Sequence, residues 1–225
     1  TSAIALKKEN MVKLPVIVYN NNSKKEVIAN ALELQRKLED VAAKESNGNK
    51  YIRPIVLFQA QPRTNDDSTT FEKLKEHLIE LRIPEDQIKI KTANINELKY
   101  VDLSSPDCSV RYIITINALK EGWDCPFAYI LASLADKSSV IDVTQILGRI
   151  LRQPEVRKHK HWQLNLSYVL TASSKFYETL QSIVKGLNEA GFSDKDYRSQ
   201  DMSQEEASEK NDSVTKELFP EQPDA

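Results

Sequence analysis

Two short segments gather residue types that could do phosphate chemistry. Gln145, Gly148, Arg149 and Arg152 recur at i, i+3, i+4 and i+7, along one side of a helix predicted over Val140–Leu151. Val143, Ile146, Leu147, Ile150 and Leu151 repeat at the same spacing on the opposite side. Glycine inside a helix costs about 1 kcal/mol against alanine, and the chain has only five glycines in 225 residues, so Gly148 asks for a reason. Two readings stand. Either this is a solvated face that happens to hold two arginines, or Gly148 clears room for a close approach. In the second case Arg149 and Arg152 present guanidinium forks to a phosphate chain. The other segment, ALKEGWDCP, follows the strongest predicted strand, Val110–Ile116. Glu121, Gly122 and Asp124, closed by Pro126, make a plausible ribose or phosphate loop at a strand's carboxyl end. The alternative is an ordinary loop whose glycine supplies a positive φ and whose Trp123 packs locally.

Strand and helix patterns alternate along the chain. Val16–Asn20 is short, apolar and β-branched, and Ser23 stands where a helix N-cap belongs. Val27, Ile28, Ala31, Leu34, Leu38 and Val41 then repeat at helical spacing up to Asn47–Asn49. Ile55–Phe58 is a continuous apolar run, expected of a strand buried on both faces. A helix over about 70–81 ends before Pro84, and Ile88–Lys91 alternates as a strand. After Val110–Ile116, strands are predicted at Tyr129–Leu134 and Leu164–Ala172, and a helix at Phe176–Ala190 stopped by Gly191. This order predicts an open α/β fold with a mostly parallel sheet and helices on both faces. Ligands of such sheets bind at the carboxyl ends of strands, which directs attention to the loops after Phe58 and Ile116.

Composition narrows the classes. Hydrophobic residues at 40% and charged residues at 28% are globular values, so a fibrous or wholly disordered chain does not fit. No apolar run approaches the roughly 20 residues of a membrane helix, which argues against a membrane partner. The first residues lack the apolar core of a secretion signal. Two cysteines, Cys108 and Cys125, fit a reducing cytoplasm better than a disulfide scaffold. The net charge of −2 hides an asymmetry: residues 193–225 carry ten acidic and four basic groups, leaving residues 1–192 at +4. The expected organisation is a linker and lead-in segment over 1–14, one domain over 15–192, and an acidic flexible tail over 193–225. A mildly basic body is compatible with a polyanion partner without requiring one.

The two phosphate-like segments resemble motifs of superfamily 2 helicases. Gln145-Ile-Leu-Gly148-Arg149-Ile-Leu-Arg152 resembles motif VI, Q-x-x-G-R-x-x-R, and Glu121-Gly122-Trp123-Asp124-Cys125-Pro126 resembles motif V. Arg53–Pro62, RPIVLFQAQP, resembles motif IV as written in the restriction subunits of type III restriction-modification enzymes, and QILGRILRQP and VKGLNEAGF resemble the same subunits. The resemblance spans roughly residues 10–198. It implies the second of two RecA-like motor domains, in a prokaryotic cytoplasmic enzyme. By position, Arg149 and Arg152 would act as arginine fingers on ATP held by a first domain, with Gln145 aligning the cleft. Gly122, Asp124, Glu121 and Gly148 would lie near the nucleotide. Gln59, Thr115 and Asn117 would lie toward the nucleic-acid backbone. The implied partners are ATP with Mg²⁺, duplex DNA, the N-terminal motor domain of the same polypeptide and a modification (methyltransferase) subunit. The sequence contains no G-x-x-x-x-G-K-[ST] phosphate loop and no DEAD-like acidic box. Both belong to the first domain in that family, so this chain by itself is expected to hydrolyse no ATP. Another superfamily 2 helicase, or a non-catalytic binding module, are the competing readings.

Three smaller features have plain alternatives. Glu85-Asp86 with Glu97-Leu98-Lys99 echoes a Mg²⁺ nuclease, but a solvated turn accounts for it better. His159-Lys160-His161 lacks carboxylate or cysteine companions in sequence and reads as surface, with no metal expected. Arg157, Lys158 and Lys160 beside Trp162 either touch DNA phosphate or form a solvated loop. Cys125 has no histidine nearby in sequence and reads as a small buried hydrophobe.

Overall fold

A computed structural model describes residues 9–45, 52–64, 66, 68–116, 125, 127–136, 147–189 and 197–201. Seven strands form one sheet: β1 (Val16–Asn20), β2 (Ile55–Gln59), β3 (Ile88–Ile90), β4 (Tyr112–Thr115), β5 (Ala128–Ser133), β6 (Ser167–Thr171) and β7 (Tyr197–Asp201). Their spatial order is β3-β4-β2-β5-β6-β1-β7, and every neighbouring pair is parallel. Helices α1 (Lys24–Glu45), α2 (Phe71–Glu80) and α3 (Ser174–Glu189) connect strands, and Leu147–Ile150 are also helical.

The connections explain the layers. Parallel strands joined through crossovers take a right-handed path, so connections running in opposite directions along the sheet lie on opposite faces. The paths β1 to β2 and β2 to β3 run one way, and α1 lies over β2, β5 and β6 while α2 lies over β4. The paths β5 to β6 and β6 to β7 run the other way, which assigns the Leu147–Ile150 helix and α3 to the opposite face. With both faces covered, β2, β4, β5 and β6 are buried along their whole length, as the apolar runs predict. The expected α/β fold with helices on both faces is the observed one.

Local chemistry sets most boundaries. Ser23 Oγ accepts from the Glu26 amide at 3.2 Å, and Glu26 reaches back to the Asn22 amide at 2.9 Å, so two donors at the start of α1 are satisfied. Thr70 caps α2 through the Lys73 amide at 3.4 Å. The strand predicted over Val110–Ile116 is shorter, Tyr112–Thr115, and the helical residues before Arg152 stop at Ile150; two larger differences have a visible cause. The strand predicted over Leu164–Ala172 begins only at Ser167, because Trp162–Asn165 form a 3-10 turn. Asn165 holds that turn by bonding both the amide (2.7 Å) and the carbonyl (2.9 Å) of His159. The second difference lies in the acidic stretch expected as a flexible tail, where Tyr197–Asp201 pair with β1 as an edge strand. An edge strand needs only backbone groups to complete a ladder, so a run without apolar alternation gives no strand signal. The rest of 190–225 lies outside the described residues.

Arg53, just before β2, is fully buried. Its guanidinium donates to the carbonyls of Leu103, Ser105 (3.1 Å) and Cys108 (2.5 Å), and sits 5.8 Å from the Phe127 ring centre. One cation thus satisfies three carbonyls of an irregular loop that has no ladder of its own. Arg53→Met keeps the stem and removes these donors. Urea unfolding of that variant should show a loss of about 3 kcal/mol, with faster hydrogen exchange over residues 103–108.

Candidate functional site

The candidate residues fall into two places on the sheet. The first is its carboxyl edge. Strand register aligns Thr115 with Gln59, Gln59 with Ser133, Ser133 with Thr171 and Thr171 with Asn20, a polar row across five strands. The chain leaves β2 toward one face and leaves its neighbours β4 and β5 toward the other, which makes the end of β2 a topological switch point. Gln59 Oε1 accepts from Ser133 Oγ at 2.9 Å. Thr115 is buried, and its hydroxyl has no hydrogen-bond partner among the described residues. Beyond the row, the Gln61 amide donates to Asp136, which pairs with Lys24 Nζ at 2.8 Å, and Gln61 Oε1 accepts from the Thr69 amide at 2.8 Å. Lys24, Lys25, Ser68, Thr69, Lys73 and His77 line a cavity of about 210 Å³ between the starts of α1 and α2. Lysines at two helix N-termini favour an anion there.

The second place is the opposite edge. The helical residues Leu147–Ile150 end beside the first residue of β6, whose Ser167 hydroxyl donates to the Ile150 carbonyl at 3.1 Å. Arg149 is half-buried, and Arg152 and Gly148 are exposed. A Cβ built on Gly148 would meet nothing within 4 Å among the described residues, so none of them requires a glycine there. The sheet therefore separates Arg149 and Arg152 from Gln59 and Thr115. Gln145, Asn117, Glu121, Gly122 and Asp124 lie outside the described residues.

His159 and His161 depart from the surface reading. His159 is only 3% exposed, and neither ring nitrogen has a hydrogen-bond partner among the described residues. The residue that explains the turn is Glu45, at the end of α1. Its carboxylate accepts from the Lys160 amide (2.8 Å), the His161 amide (3.0 Å) and His161 Nδ1 (2.5 Å), and lies 3.7 Å from His159 Nδ1. More than a hundred residues separate these groups in sequence, so no local pattern could have found the pairing. Burial pushes the Glu45 carboxyl up, but the two amides, the His161 ring and the His159 charge outweigh it and bring it to about 2. Burial, then the Arg157 charge, lower the His159 imidazole below its ordinary value. Among the described residues no group of three or more His, Cys, Asp or Glu is placed to hold a metal. The residues of the nuclease-like echo are engaged elsewhere: Glu85 pairs with Lys75 at 2.8 Å, and Glu97 accepts from the Ile90 amide at 2.7 Å. Cys125 is buried, as expected of a small hydrophobe.

Two outcomes follow from this geometry. Glu45 and His159 are both held below their unfolded values, so the folded state binds fewer protons than the unfolded chain. Stability should be full above about pH 6.5 and fall on acidification, first through His159 and then through Glu45 between about 4.5 and 2. Urea unfolding at a series of pH values checks this, and Glu45→Gln should flatten the lower part by on the order of 2–3 kcal/mol. Gly148→Ala adds a methyl in open space on a helix. Its unfolding midpoint should rise, by up to about 1 kcal/mol of stability.

No family model and no curated protein sequence matches the chain. Among solved structures, it is similar to the C-terminal domain of S. cerevisiae Dbp5, solved with Gle1 and IP6, at 13% identity and TM-score 0.46, covering 84% of this chain and 90% of that one. It is similar to the ATP-dependent Type ISP restriction-modification enzyme LlaBIII bound to DNA at 13% identity and TM-score 0.49, over 88% of this chain and 16% of that one. A fragment of a putative HsdR subunit of a type I restriction enzyme from Vibrio vulnificus is similar at 15% identity and TM-score 0.39, over 84% of this chain and 36% of that one.

Proposed function

We propose that this chain is the second motor half of an ATP-dependent DNA translocase of superfamily 2, most like the restriction subunit of a type III restriction-modification enzyme. The observation that carries the reading is the spacing of Gln145, Gly148, Arg149 and Arg152, together with the open space over Gly148. A helix glycine that none of the described residues crowds is accounted for by a surface arriving from outside. Two arginines on the same stretch suit that surface to the phosphates of a nucleotide. In this reading ATP and Mg²⁺ are held chiefly by an N-terminal motor domain, and the acidic ligands for Mg²⁺ come from there. Arg149 and Arg152 donate to the phosphoryl oxygens as negative charge develops on them, which lowers the barrier to hydrolysis. Gln145 aligns the cleft, and Glu121, Gly122 and Asp124 form its nucleotide-side loop. Closure brings the arginines in and hydrolysis releases them, and that cycle is the mechanical step.

Duplex DNA is assigned to the other edge. The row from Asn20 to Thr115, Gln59 within it, and the lysine-lined cavity beside Gln61 supply polar and cationic groups for a phosphate backbone. Sequence recognition is left to a modification subunit.

The test is steady-state ATP turnover, with and without duplex DNA, by a polypeptide that joins this chain to an upstream motor domain. DNA should raise the rate. Arg149→Ala should lower it by about 10³-fold or more with ATP binding retained, Gly148→Ala should lower it despite its gain in stability, and the 225-residue chain alone should be silent. Equal turnover in parent and Arg149→Ala would sink the arginine-finger role. The chain would then stand as a binding module, for which the same variant lowers affinity and leaves no catalytic trace.

A further inference from the structure

The residues just ahead of β1 are tied to the end of the helix that carries Arg149. Val12 and Arg152 form an isolated antiparallel bridge. The Lys13 amide donates to the Leu151 carbonyl at 2.6 Å, and the Gln153 amide donates to the Met11 carbonyl at 3.0 Å. The Lys13 side chain is fully buried; its ammonium donates to the Arg152 carbonyl and lies 4.6 Å from the centre of the Tyr129 ring. Ser167 directs one hydroxyl at the carbonyls of both Lys13 (3.0 Å) and Ile150 (3.1 Å), so the sheet itself anchors the junction.

Packing alone does not call for a lysine here. Burying an ammonium is costly unless its donors are used, and an apolar side chain of similar length would fill the same space. The ammonium adds a cation at the carbonyl end of a helix and a bond to the backbone of an arginine of the candidate site. Three hydrogen bonds, from the Lys13 amide and the Gln153 amide (together the Val12–Arg152 bridge) and from the Lys13 side chain, tie residues 11–13 to 151–153.

We propose that Lys13 is a positioning residue: through the Arg152 backbone it fixes how Arg149 and Arg152 are presented, and Met11–Lys13 carries any displacement of the preceding chain to them. This rests on the motor reading above. A pull on the chain ahead of β1 acts first on residues 11–13, and the shared hydrogen bonds pass it to the arginine segment. A loose loop at either place would absorb it.

Two measurements test the inference. In the 225-residue chain, Lys13→Met and Ser167→Ala should each speed hydrogen exchange at the amides of Lys13 and Gln153 by about tenfold or more, with the central-strand amides of Leu57 and Ile113 unchanged. Unchanged exchange at Lys13 and Gln153 in both variants overturns the clasp. In the polypeptide that joins the upstream motor domain, each variant should lower kcat for ATP by about ten- to a hundredfold while KM for ATP stays at the parent value. Ser167→Ala carries the test if Lys13→Met fails to fold. A parent that turns over ATP while both variants keep its kcat overturns the inference alone. A parent without turnover overturns the motor reading, and this inference with it.

Discussion

Parallel strands cannot be joined by tight turns, and most of this structure follows from that constraint. Each connection between parallel neighbours must return across a face of the sheet, so a crossover helix starts near the carboxyl edge and ends near the amino edge. Between β5 and β6 the helical residues Leu147–Ile150 end at the amino edge, beside Ser167, which brings Arg149 and Arg152 there. The segment that leads into β1 reaches that edge for the same reason. The pairing of residues 11–13 with 151–153 is therefore a consequence of topology before it is a matter of particular side chains.

The two edges use different chemistry. At the amino edge, charged side chains are taken inside and spent on backbone groups: Lys13 on the Arg152 carbonyl, Arg53 on three carbonyls of 103–108, Glu45 on the amides of Lys160 and His161. Irregular chain packed beside a sheet has no ladder to satisfy its peptide groups, and a long side chain with several donors or acceptors serves many at once. At the carboxyl edge the five-strand row is built from the amides and hydroxyls of Asn20, Thr171, Ser133, Gln59 and Thr115, with charged residues at its ends, Asp201 in register with Asn20 and the buried Lys91 just past β3. Neutral polar groups lose little on exposure and can be shared with a ligand.

Much of the architecture was legible because it rests on local signals. Continuous apolar runs located β2 and β5 to within a residue or so, and Val16–Asn20 was located at both ends, since a strand covered on both faces leaves no room for polar alternation. Ser23 marked a helix start because a cap acts within three residues. β7 carried no such signal: its place depends on pairing with β1, far away in sequence, and not on its own side chains. The early end of the Leu164–Ala172 run was hidden likewise, because Asn165 and His159 define the turn through bonds that no propensity records.

For the candidate site, the sequence offered Gln145, Gly148, Arg149 and Arg152 at helical spacing; among the described residues Leu147–Ile150 are helical, and Arg152 lies just past them, bridged to Val12. The sequence placed Gln59 just after one buried strand and Thr115 within another; in the structure each is the last residue of its strand. The sequence held nothing about the distance between these groups, and tertiary structure put them at opposite edges of one sheet. Nor could it disclose that Lys13 would be buried against Arg152, or Glu45 against His161, because these pairs are separated by 139 and 116 residues. Local free-energy preferences act over a few residues and can be read along the chain. Which distant charges share a buried edge depends on how the crossovers stack, and only the assembled sheet decides that.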